Sequence, residues 1–273
     1  MNILAKQNRR QYSKKTKEEF QLIDQKTLAY INMYAILGAL ENLCELAPEA
    51  PSLLTNKKPI KIGFEVKGGP SATLTFKNGK CRMDQGCKKV DVKLPFGSCE
   101  KFNGLIDGTT TPIPSKGFTH IGFLLKDFTA LTDLLNKYLR PDPADLEDED
   151  FFNISTQVML GVIGVAISQI ANNDEIGKFT AGNIVDGNIL FSIKDGPAVT
   201  IRCKDHRLVT VKCGCDNYRA KMEFQNIKLA RDLFDGNVNA VACIGKGYIA
   251  MQGMISMLDN LNRLLDRVAV YLA

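Results

Sequence analysis

The sequence predicts an α+β fold made of two tandem copies of one domain, each a mainly antiparallel sheet of about five strands with helices on one face. Two repeated segments support the duplication. GPSATLTFKNGK at Gly69–Lys80 aligns with GPAVTIRCKDHR at Gly196–Arg207, 127 residues later. LTDLLNKYL at Leu131–Leu139 aligns with LNRLLDRVA at Leu261–Ala269, 130 residues later. This period far exceeds the roughly 20–50 residues of solenoid repeats, so a whole domain is duplicated.

An acidic segment separates the two copies. Pro141 and Pro143 stop the preceding helix, and the aspartates and glutamates that follow cannot form a core. The predicted organisation is a basic N-terminal arm at 1–20, copy one at 21–140, an acidic linker at 141–150 and copy two at 151–273.

Each copy begins with a helix. In copy one an apolar stripe runs from Leu28 to Leu46, and in copy two the equivalent helix is Ser155–Ala171. Gly38 and Gly164 occupy corresponding points of the two helices. A glycine at this point predicts a close helix–sheet contact, because no side chain holds the two backbones apart.

Strands follow one another without intervening helices. Ile60–Val66 alternates apolar and polar residues, and Asn78-Gly79 is a hairpin signal after Ala72–Phe76. Copy two has the same order in Asn188–Ile193 and Ala198–Cys203. Each copy then continues with further strands, a helix, one last strand and a closing amphipathic helix. Consecutive strands favour an α+β class over alternating α/β units.

Composition and charge limit the classes of function. Hydrophobic residues make up 45% and charged residues 24% of the 273 residues, which is typical of a soluble globular protein. The net charge of +5 is concentrated between Lys6 and Lys17, so the rest is near neutral and nucleic-acid binding is not expected. The basic arm is interpreted as a solvated leader, with transient contact to an anionic membrane surface as the open alternative.

Targeting signals and cysteine usage predict a cytoplasmic location. No secretory apolar region follows the basic start, and the longest apolar run, near Val158–Ile167, is too short to span a bilayer. The eight cysteines are therefore expected to be reduced thiols.

Motifs that could carry chemistry are weak. Cys213-Gly214-Cys215 could ligate a soft metal, but the chain has only His120 and His206 as histidine ligands, so a turn is the preferred interpretation. Gly245-Lys246-Gly247 lacks the spacing of a phosphate-binding loop. We expect no catalytic residues, no metal, no cofactor and no enzymatic activity. An enzyme that uses the Cys213 or Cys99 thiol is the weakest alternative.

Three segments of copy two carry a family resemblance, namely Lys194–Ile201, the helix Asn226–Phe234 with its Asp235-Gly236-Asn237 end, and Ala242–Ile249 before a final helix rich in Met and Leu. In these segments copy two resembles the sterol carrier protein 2 (SCP2) family. Copy one matches less well, because Thr109–Gly117 contains two prolines that reshape the loop. The resemblance implies a mixed sheet with an apolar tunnel for lipid beneath helices, and no shared catalytic residues.

Candidate tunnel residues are the methionines and aromatic residues that cluster around the closing helices. Plain core filling is the alternative interpretation, although methionine suits surfaces that accept varied apolar ligands. The candidates in copy two are Met222, Phe224, Leu233, Tyr248, Met251, Met254 and Met257, and those in copy one are Phe96, Phe102, Phe118, Phe123 and Phe128.

These expectations favour a lipid carrier whose partner is a hydrophobic small molecule, namely a fatty acid, an acyl-CoA or a sterol-like lipid. The alternative is a non-catalytic, pseudo-dimeric scaffold or interaction module that has lost its cavities.

Overall fold

The computed structural model describes residues 23–272, so the predicted basic arm at 1–20 lies outside the described residues. Within this range the protein is an α+β structure with two mixed sheets, one of four strands and one of five. The predicted fold class is therefore confirmed. We use "first half" for residues 23–140 and "second half" for residues 141–272.

The first half contains, in chain order, α1 (Gln25–Ile31), a π-helical turn (Asn32–Leu37), α2 (Ala39–Leu46), α3 (Ala50–Leu53), β1 (Ile60–Val66), β2 (Ser71–Lys77), β3 (Lys80–Gln85), β4 (Val92–Phe96), α4 (Cys99–Ile106), a 3₁₀ turn (Phe118–His120), α5 (Ile121–Phe123), a second π-helical turn (Leu124–Phe128) and α6 (Thr129–Leu139). The second half contains a 3₁₀ turn (Asp145–Glu147), α7 (Glu149–Asn173), α8 (Glu175–Ala181), β5 (Gly187–Ile193), β6 (Ala198–Lys204), β7 (Arg207–Val211), β8 (Ala220–Phe224), α9 (Ile227–Phe234), α10 (Ala240–Gly245), β9 (Ile249–Gly253) and α11 (Ile255–Leu272).

The two sheets have the same topology over their first four strands. The strand order is β3-β2-β1-β4 in the first half and β7-β6-β5-β8-β9 in the second. In the first sheet β1 is antiparallel to β2 and parallel to β4, with Ile62 opposite Val92. In the second sheet β5 has the same two relationships, with Ile189 opposite Ala220.

The hairpin turns of the two halves differ in sequence but not in backbone geometry. Asn78 and Gly79 both have positive φ, as a two-residue type I′ turn requires, and this confirms the hairpin predicted there. Asp205 and His206 adopt the same left-handed conformation between β6 and β7. His206 is therefore a turn residue.

The fifth strand predicted for the first half is absent from the described residues. The chain at this place forms only an isolated bridge, in which Lys93 N donates to Lys116 O at 3.1 Å and Ser115 N donates to Lys93 O at 2.9 Å. Pro112 and Pro114 precede the bridge and have no N–H to donate to a strand ladder. The sheet of the first half therefore ends at β4.

Gly117 and Gly253 show how the two halves correspond at this place. Both have positive φ, +94° and +87°, and a Cβ on either would collide with the backbone of the preceding strand, at Asp91 and Val92 or at Arg219 and Ala220. These glycines are 136 residues apart, whereas the repeated segments are 127 and 130 apart. The first half is therefore shorter before this glycine, where it lacks α10 and β9, and longer after it.

Helix α7 is shared by both halves. It contacts α1, the first π-helical turn, α2 and α6 in the first half, and β6, β7, α8 and α11 in the second. From Phe151 to Asn173 no residue of this helix is exposed. The buried residues of both halves form one continuous apolar cluster as a result.

The start of α7 lies earlier than the sequence predicts. The helix begins at Glu149 and not at Ser155, because the acidic segment provides its N-terminus. The Asp148 side chain accepts a hydrogen bond from Phe151 N at 2.8 Å, and Glu149 and Asp150 lie in the first turn. Carboxylates at this end are stabilised by the unpaired N–H groups and by the helix dipole.

Among the described residues, α7 is the one helix long and apolar enough to cross a membrane by length and composition. Of its most apolar window, 78% is buried inside the protein. A helix that is hydrophobic on all sides is also typical of the centre of a large core. The packing of α7 against both halves therefore accounts for its apolar composition.

The predicted close helix–sheet contact at Gly164 is confirmed. A Cβ on Gly164 would lie 2.9 Å from Val199 Cγ2 on β6 and 3.2 Å from Thr210 Cγ2 on β7. Gly161, one turn earlier, has only Asn42 Nδ2 within 4 Å, at 3.7 Å. The close packing thus requires glycine at Gly164 but not at Gly161.

We expect Gly164→Ala to lower the free energy of unfolding by about 1–2 kcal/mol, because the added methyl group overpacks the helix against β6. Gly161→Ala is the matched control on the same helix. It should leave stability unchanged or raise it by up to about 1 kcal/mol, since alanine favours the helix. Urea unfolding of both variants measures the difference, and equal effects would contradict the close contact.

Candidate functional site

The predicted tunnel residues of the second half lie between the β8–β9 pair and the closing helix. Met222 on β8 is the register partner of Met251 on β9. Met222 and Met257 are buried, whereas Met251 and Met254 are only partly buried against the core. The four methionines thus lie on β8, on β9 and around the start of α11, which contacts both strands, and we call them the methionine region.

Three further candidates border this methionine region. Phe224 is buried and packs edge-on against Phe191 and Phe234, with ring centroids 5.2 and 5.7 Å apart. Leu233 on α9 is partly buried against the same core. Tyr248 is exposed, so its side chain lies at the surface and not in the interior.

The predicted tunnel residues of the first half form an interlocked aromatic cluster. Phe102 lies edge-on to Phe96 at 5.2 Å and to Phe64 at 6.5 Å between ring centroids. Phe76 contacts both Phe123 at 5.5 Å and Phe128 at 5.9 Å. Edge-to-face rings at these distances are typical of a packed core.

Phe118 is the exception among the aromatic candidates. It lies in the 3₁₀ turn that follows Gly117, and its side chain is exposed. With the 130-residue offset of the closing helices, Phe118 aligns with Tyr248. In the structure, however, Gly117 corresponds to Gly253, so Phe118 follows its glycine whereas Tyr248 precedes its own. Phe118 is not brought together with Phe96, Phe102, Phe123 and Phe128.

A cavity of about 370 Å³ lies at the junction of the two halves, away from the predicted tunnel residues. It opens between α2, α7 and the strand ends of the second sheet. Its lining residues are Asn42, Gln157, Leu160, Gly161, Gly196, Pro197, Ala198, Val199, Lys212, Cys213 and Gly214. Sequence analysis identified only Cys213 of these as a candidate, and no motif signals the rest, because they come from separate elements.

The cation in this cavity is already neutralised. Lys212 Nζ donates to Gly38 O at 2.8 Å and to Glu41 Oε2 at 3.2 Å. Glu41 Oε1 in turn accepts a hydrogen bond from Met83 N at 2.8 Å. The cavity therefore presents amide groups and backbone, which suit water or a small polar molecule better than a hydrocarbon chain.

The thiols of the described residues are unpaired, and burial makes several of them poor nucleophiles. Burial raises the pKa of the Cys87, Cys99 and Cys203 thiols. A hydrogen bond with Cys44, together with burial, raises the pKa of the Cys81 thiol well above its ordinary value. Because the thiolate is the reactive form, these groups are weakly nucleophilic at neutral pH.

Metal-ligating side chains do not converge among residues 23–272, where no three His, Cys, Asp or Glu residues form a group that could hold an ion. Cys213 is exposed, and the Cys215 thiol donates a weak hydrogen bond to Asn217 O at 3.6 Å.

A buried polar network connects the two ends of the described chain. Tyr271 Oη donates to Asp174 Oδ2 at 2.7 Å and accepts a hydrogen bond from Asp24 N at 3.2 Å. Arg267 donates to the same Asp174 oxygen at 2.7 Å. Gly177 N donates to Asp174 Oδ1 at 2.8 Å. Asp174 thus joins the α7–α8 junction to α11 directly, and Tyr271 extends the network to the residue before α1.

Electrostatics in this network favour the ionised form of Asp174. Burial opposes its ionisation, but the hydrogen bonds from Arg267, Tyr271 and Gly177 outweigh burial and hold the pKa of this carboxyl below its ordinary value of 3.8. Burial, followed by the hydrogen bond to Asp174, raises the pKa of Tyr271 to about 12. The tyrosine therefore stays protonated and keeps donating at physiological pH.

Known structures that resemble this chain include single SCP2 domains. A structure described as "UbiJ-SCP2 Ubiquinone synthesis protein" matches with a TM-score of 0.32 and 14% identity, over 40% of this chain and 93% of its own. The sterol carrier protein domain 2 of Helicoverpa armigera matches with a TM-score of 0.33 and 17% identity, over 41% of this chain and 88% of its own.

An enzyme structure also matches. The stereoselective inverting sec-alkylsulfatase Pisa1 from Pseudomonas sp. has a TM-score of 0.25 and 11% identity, over 54% of this chain and 28% of its own. Similarities of this size do not assign a function. No known family matches the sequence. No curated protein matches it either.

We expect Asp174→Asn to destabilise the protein by about 3–5 kcal/mol at pH 7, because Arg267 is left in a buried site without its carboxylate. Since the folded-state pKa of Asp174 is below the unfolded value, its contribution is complete above about pH 4 and is lost as pH falls through the folded-state pKa. Urea unfolding between about pH 2 and 7 measures this loss of stability in acid. Over the same pH range the Asp174→Asn variant should lose less stability than the parent.

The control for this prediction is Asp84→Asn. Asp84 pairs with Arg82 at 3.3 Å on the surface, where both side chains are largely exposed. Its loss should change stability by less than about 0.5 kcal/mol, with little change in pH dependence. Equal losses in the two variants would contradict the structural role of the network.

Proposed function

We propose that this chain is a lipid-binding protein built from two diverged SCP2-like domains, copy one at 21–140 and copy two at 151–273, and that copy two holds the lipid. The sequence resemblance to the SCP2 family is strongest in copy two, and the shared topology of the two sheets supports duplication of one domain. The observation that carries the proposal is a difference near the closing helices, where the second half has four methionines and the first half has contacting phenylalanine rings.

The methionine region has the physical properties of an adaptable apolar site. Met251 and Met254 are partly buried beside the buried Met222 and Met257. Unbranched thioether side chains change rotamer at low cost, so they can fill a space when it is empty and withdraw from it when an apolar ligand enters. The ligand class we propose is a hydrophobic small molecule, namely a fatty acid, an acyl-CoA or a sterol-like lipid.

The aromatic interior of the first half is less adaptable. Phe64, Phe76, Phe96, Phe102 and Phe123 are all buried, and their rings contact one another or Phe128 edge-on or at a tilt. Rings in this arrangement cannot move aside without breaking several contacts together. We therefore propose that copy one supports the fold, and that it does not take up ligand.

A non-catalytic role and a cytoplasmic location are also part of this proposal. The raised pKa values of the Cys81, Cys87, Cys99 and Cys203 thiols support the first, because they weigh against a thiol enzyme built on these residues. The eight cysteines of the sequence support the cytoplasmic location, because thiols are usually kept reduced in the cytoplasm.

A scaffold that has lost its cavities is the second candidate function. The single apolar cluster that runs through both halves around α7 favours it, since such packing makes a rigid body. The scaffold hypothesis predicts no uptake of lipid by either half.

We expect Met251→Trp and Met254→Trp each to weaken uptake of a fluorescent fatty acid by about tenfold or more, because the indole occupies the space that the ligand would fill. Fluorescence titration of delipidated protein measures the uptake. The matched control is Met83→Trp on β3, a partly buried methionine of the first half, which should leave uptake unchanged.

Native mass spectrometry of freshly purified protein supplies the second readout. A lipid adduct on the parent protein, reduced in both second-half variants, is the expected result. No adduct and no uptake by the parent would refute the carrier proposal and favour the scaffold. Equal loss in Met83→Trp would instead place the ligand elsewhere in the protein.

A further inference from the structure

Each half exposes large apolar side chains in the segment that leads into its closing helix. In the first half Phe118 is 64% exposed and Leu125 is 69% exposed. In the second half Val241, Tyr248 and Ile255 are 77%, 43% and 69% exposed. Scattered apolar residues are normal on a protein surface, but clusters within one short segment mark sites of interaction.

The position of these residues is the same in the two halves relative to the closing helix. Leu125 and Ile255 each lie six residues before a fully buried leucine, Leu131 or Leu261. The sequence that precedes Leu125 and Ile255 differs, since the first half has an extra turn after Gly117 and lacks α10 and β9. Exposed apolar residues are thus present in both halves although the local backbone has diverged.

Both segments combine these exposed apolar residues with lysine and lack carboxylates. From Gly108 to Lys126 the sequence contains no aspartate or glutamate, and Lys126 is exposed. From Gly236 to Leu258 there is again no acidic residue, and Lys246 is exposed with its Nζ 6.0 Å from the centroid of the Tyr248 ring. An apolar surface with lysines and without carboxylates is complementary to an anionic lipid surface.

We propose that the segments 113–126 and 241–255 are membrane-docking segments that bind the surface of an anionic bilayer. Their exposed side chains, Phe118, Leu125, Val241, Tyr248 and Ile255, enter the boundary between headgroups and acyl chains. Lys126 and Lys246 contact lipid phosphates and carboxylates. Binding of this kind depends on buried apolar area together with charge, so neither contribution is sufficient alone. Segment 241–255 includes Met251 and Met254 of the methionine region, but the exposed docking side chains are different residues, and docking does not depend on the proposed lipid uptake.

The test is cosedimentation of the full chain with vesicles. One set contains phosphatidylcholine with about one third phosphatidylserine, and the other contains phosphatidylcholine alone. The apolar variant carries Phe118→Ser, Leu125→Ser, Val241→Ser and Ile255→Ser. We expect the parent to prefer the anionic vesicles and the variant to bind them about tenfold or more weakly. All proteins keep residues 1–20, so the basic arm contributes equally to each.

The matched control removes exposed apolar side chains from elsewhere on the surface. Ile176 and Phe179 on α8 and Val209 on β7 are 51%, 72% and 59% exposed. The triple variant Ile176→Ser, Phe179→Ser and Val209→Ser should bind vesicles as the parent does. A second variant, Lys126→Glu with Lys246→Glu, should bind anionic vesicles more weakly than the parent does. Because all these positions are exposed, unchanged circular dichroism is expected throughout.

Each outcome decides the proposal. A parent that does not bind anionic vesicles overturns it, and so does an apolar variant that binds as well as the parent. If the variant changes only the oligomeric state, measured by analytical ultracentrifugation, the segments bind a second copy of the chain and the proposal is wrong. Uptake of monomeric fatty acid should be equal in the parent and the variant, so failure of docking is separable from failure of lipid binding.

Discussion

The burial of helix α7 on all sides is the constraint on which the rest of this structure depends. A helix that packs against α1, α2 and α6 as well as β6, β7 and α11 cannot be assigned to one half alone. Removing either half would expose one side of an apolar helix to water, at about 25 cal/mol for each Å² of apolar surface. The two halves are therefore joined by a shared core element as well as by the chain. Gly164 allows this helix to approach β6 closely.

The polar network around Asp174 reinforces the same arrangement. Its partners come from α8, α11 and the residue that caps α1, so it closes the structure on the side where both ends of the described chain meet. Lys212 has a similar role on another side, because it bonds the Gly38 carbonyl and the Glu41 carboxylate of the first half. Apolar contact holds the halves together, and these directional bonds fix how they are oriented.

Sequence patterns predicted the elements that both halves share. They missed a difference in which a shorter segment and a longer segment nearly cancel in the alignment offset. Hairpin signals such as Asn78-Gly79 and the alternation of Ile60–Val66 are local, and the structure follows them. The missing strand of the first half was hidden because the shorter segment before Gly117 is followed by a longer one. The alignment offset is therefore nearly constant across this difference. The cavity beside Lys212 has no sequence signal, since its lining comes from separate elements of both halves.

The different interiors of the two halves have a simple energetic basis. An empty apolar space of about 300 Å³ would cost about 7 kcal/mol at 24 cal/mol per Å³, which is comparable to the total stability of a typical domain. Interlocked phenylalanine rings avoid this cost permanently by filling the space of the first half. Methionine side chains can avoid such a cost by changing rotamer, and Met251 and Met254 are partly buried against the core of the second half. In the carrier that we propose, the second half would therefore keep an adaptable interior, while the first half together with α7 maintains a stable core.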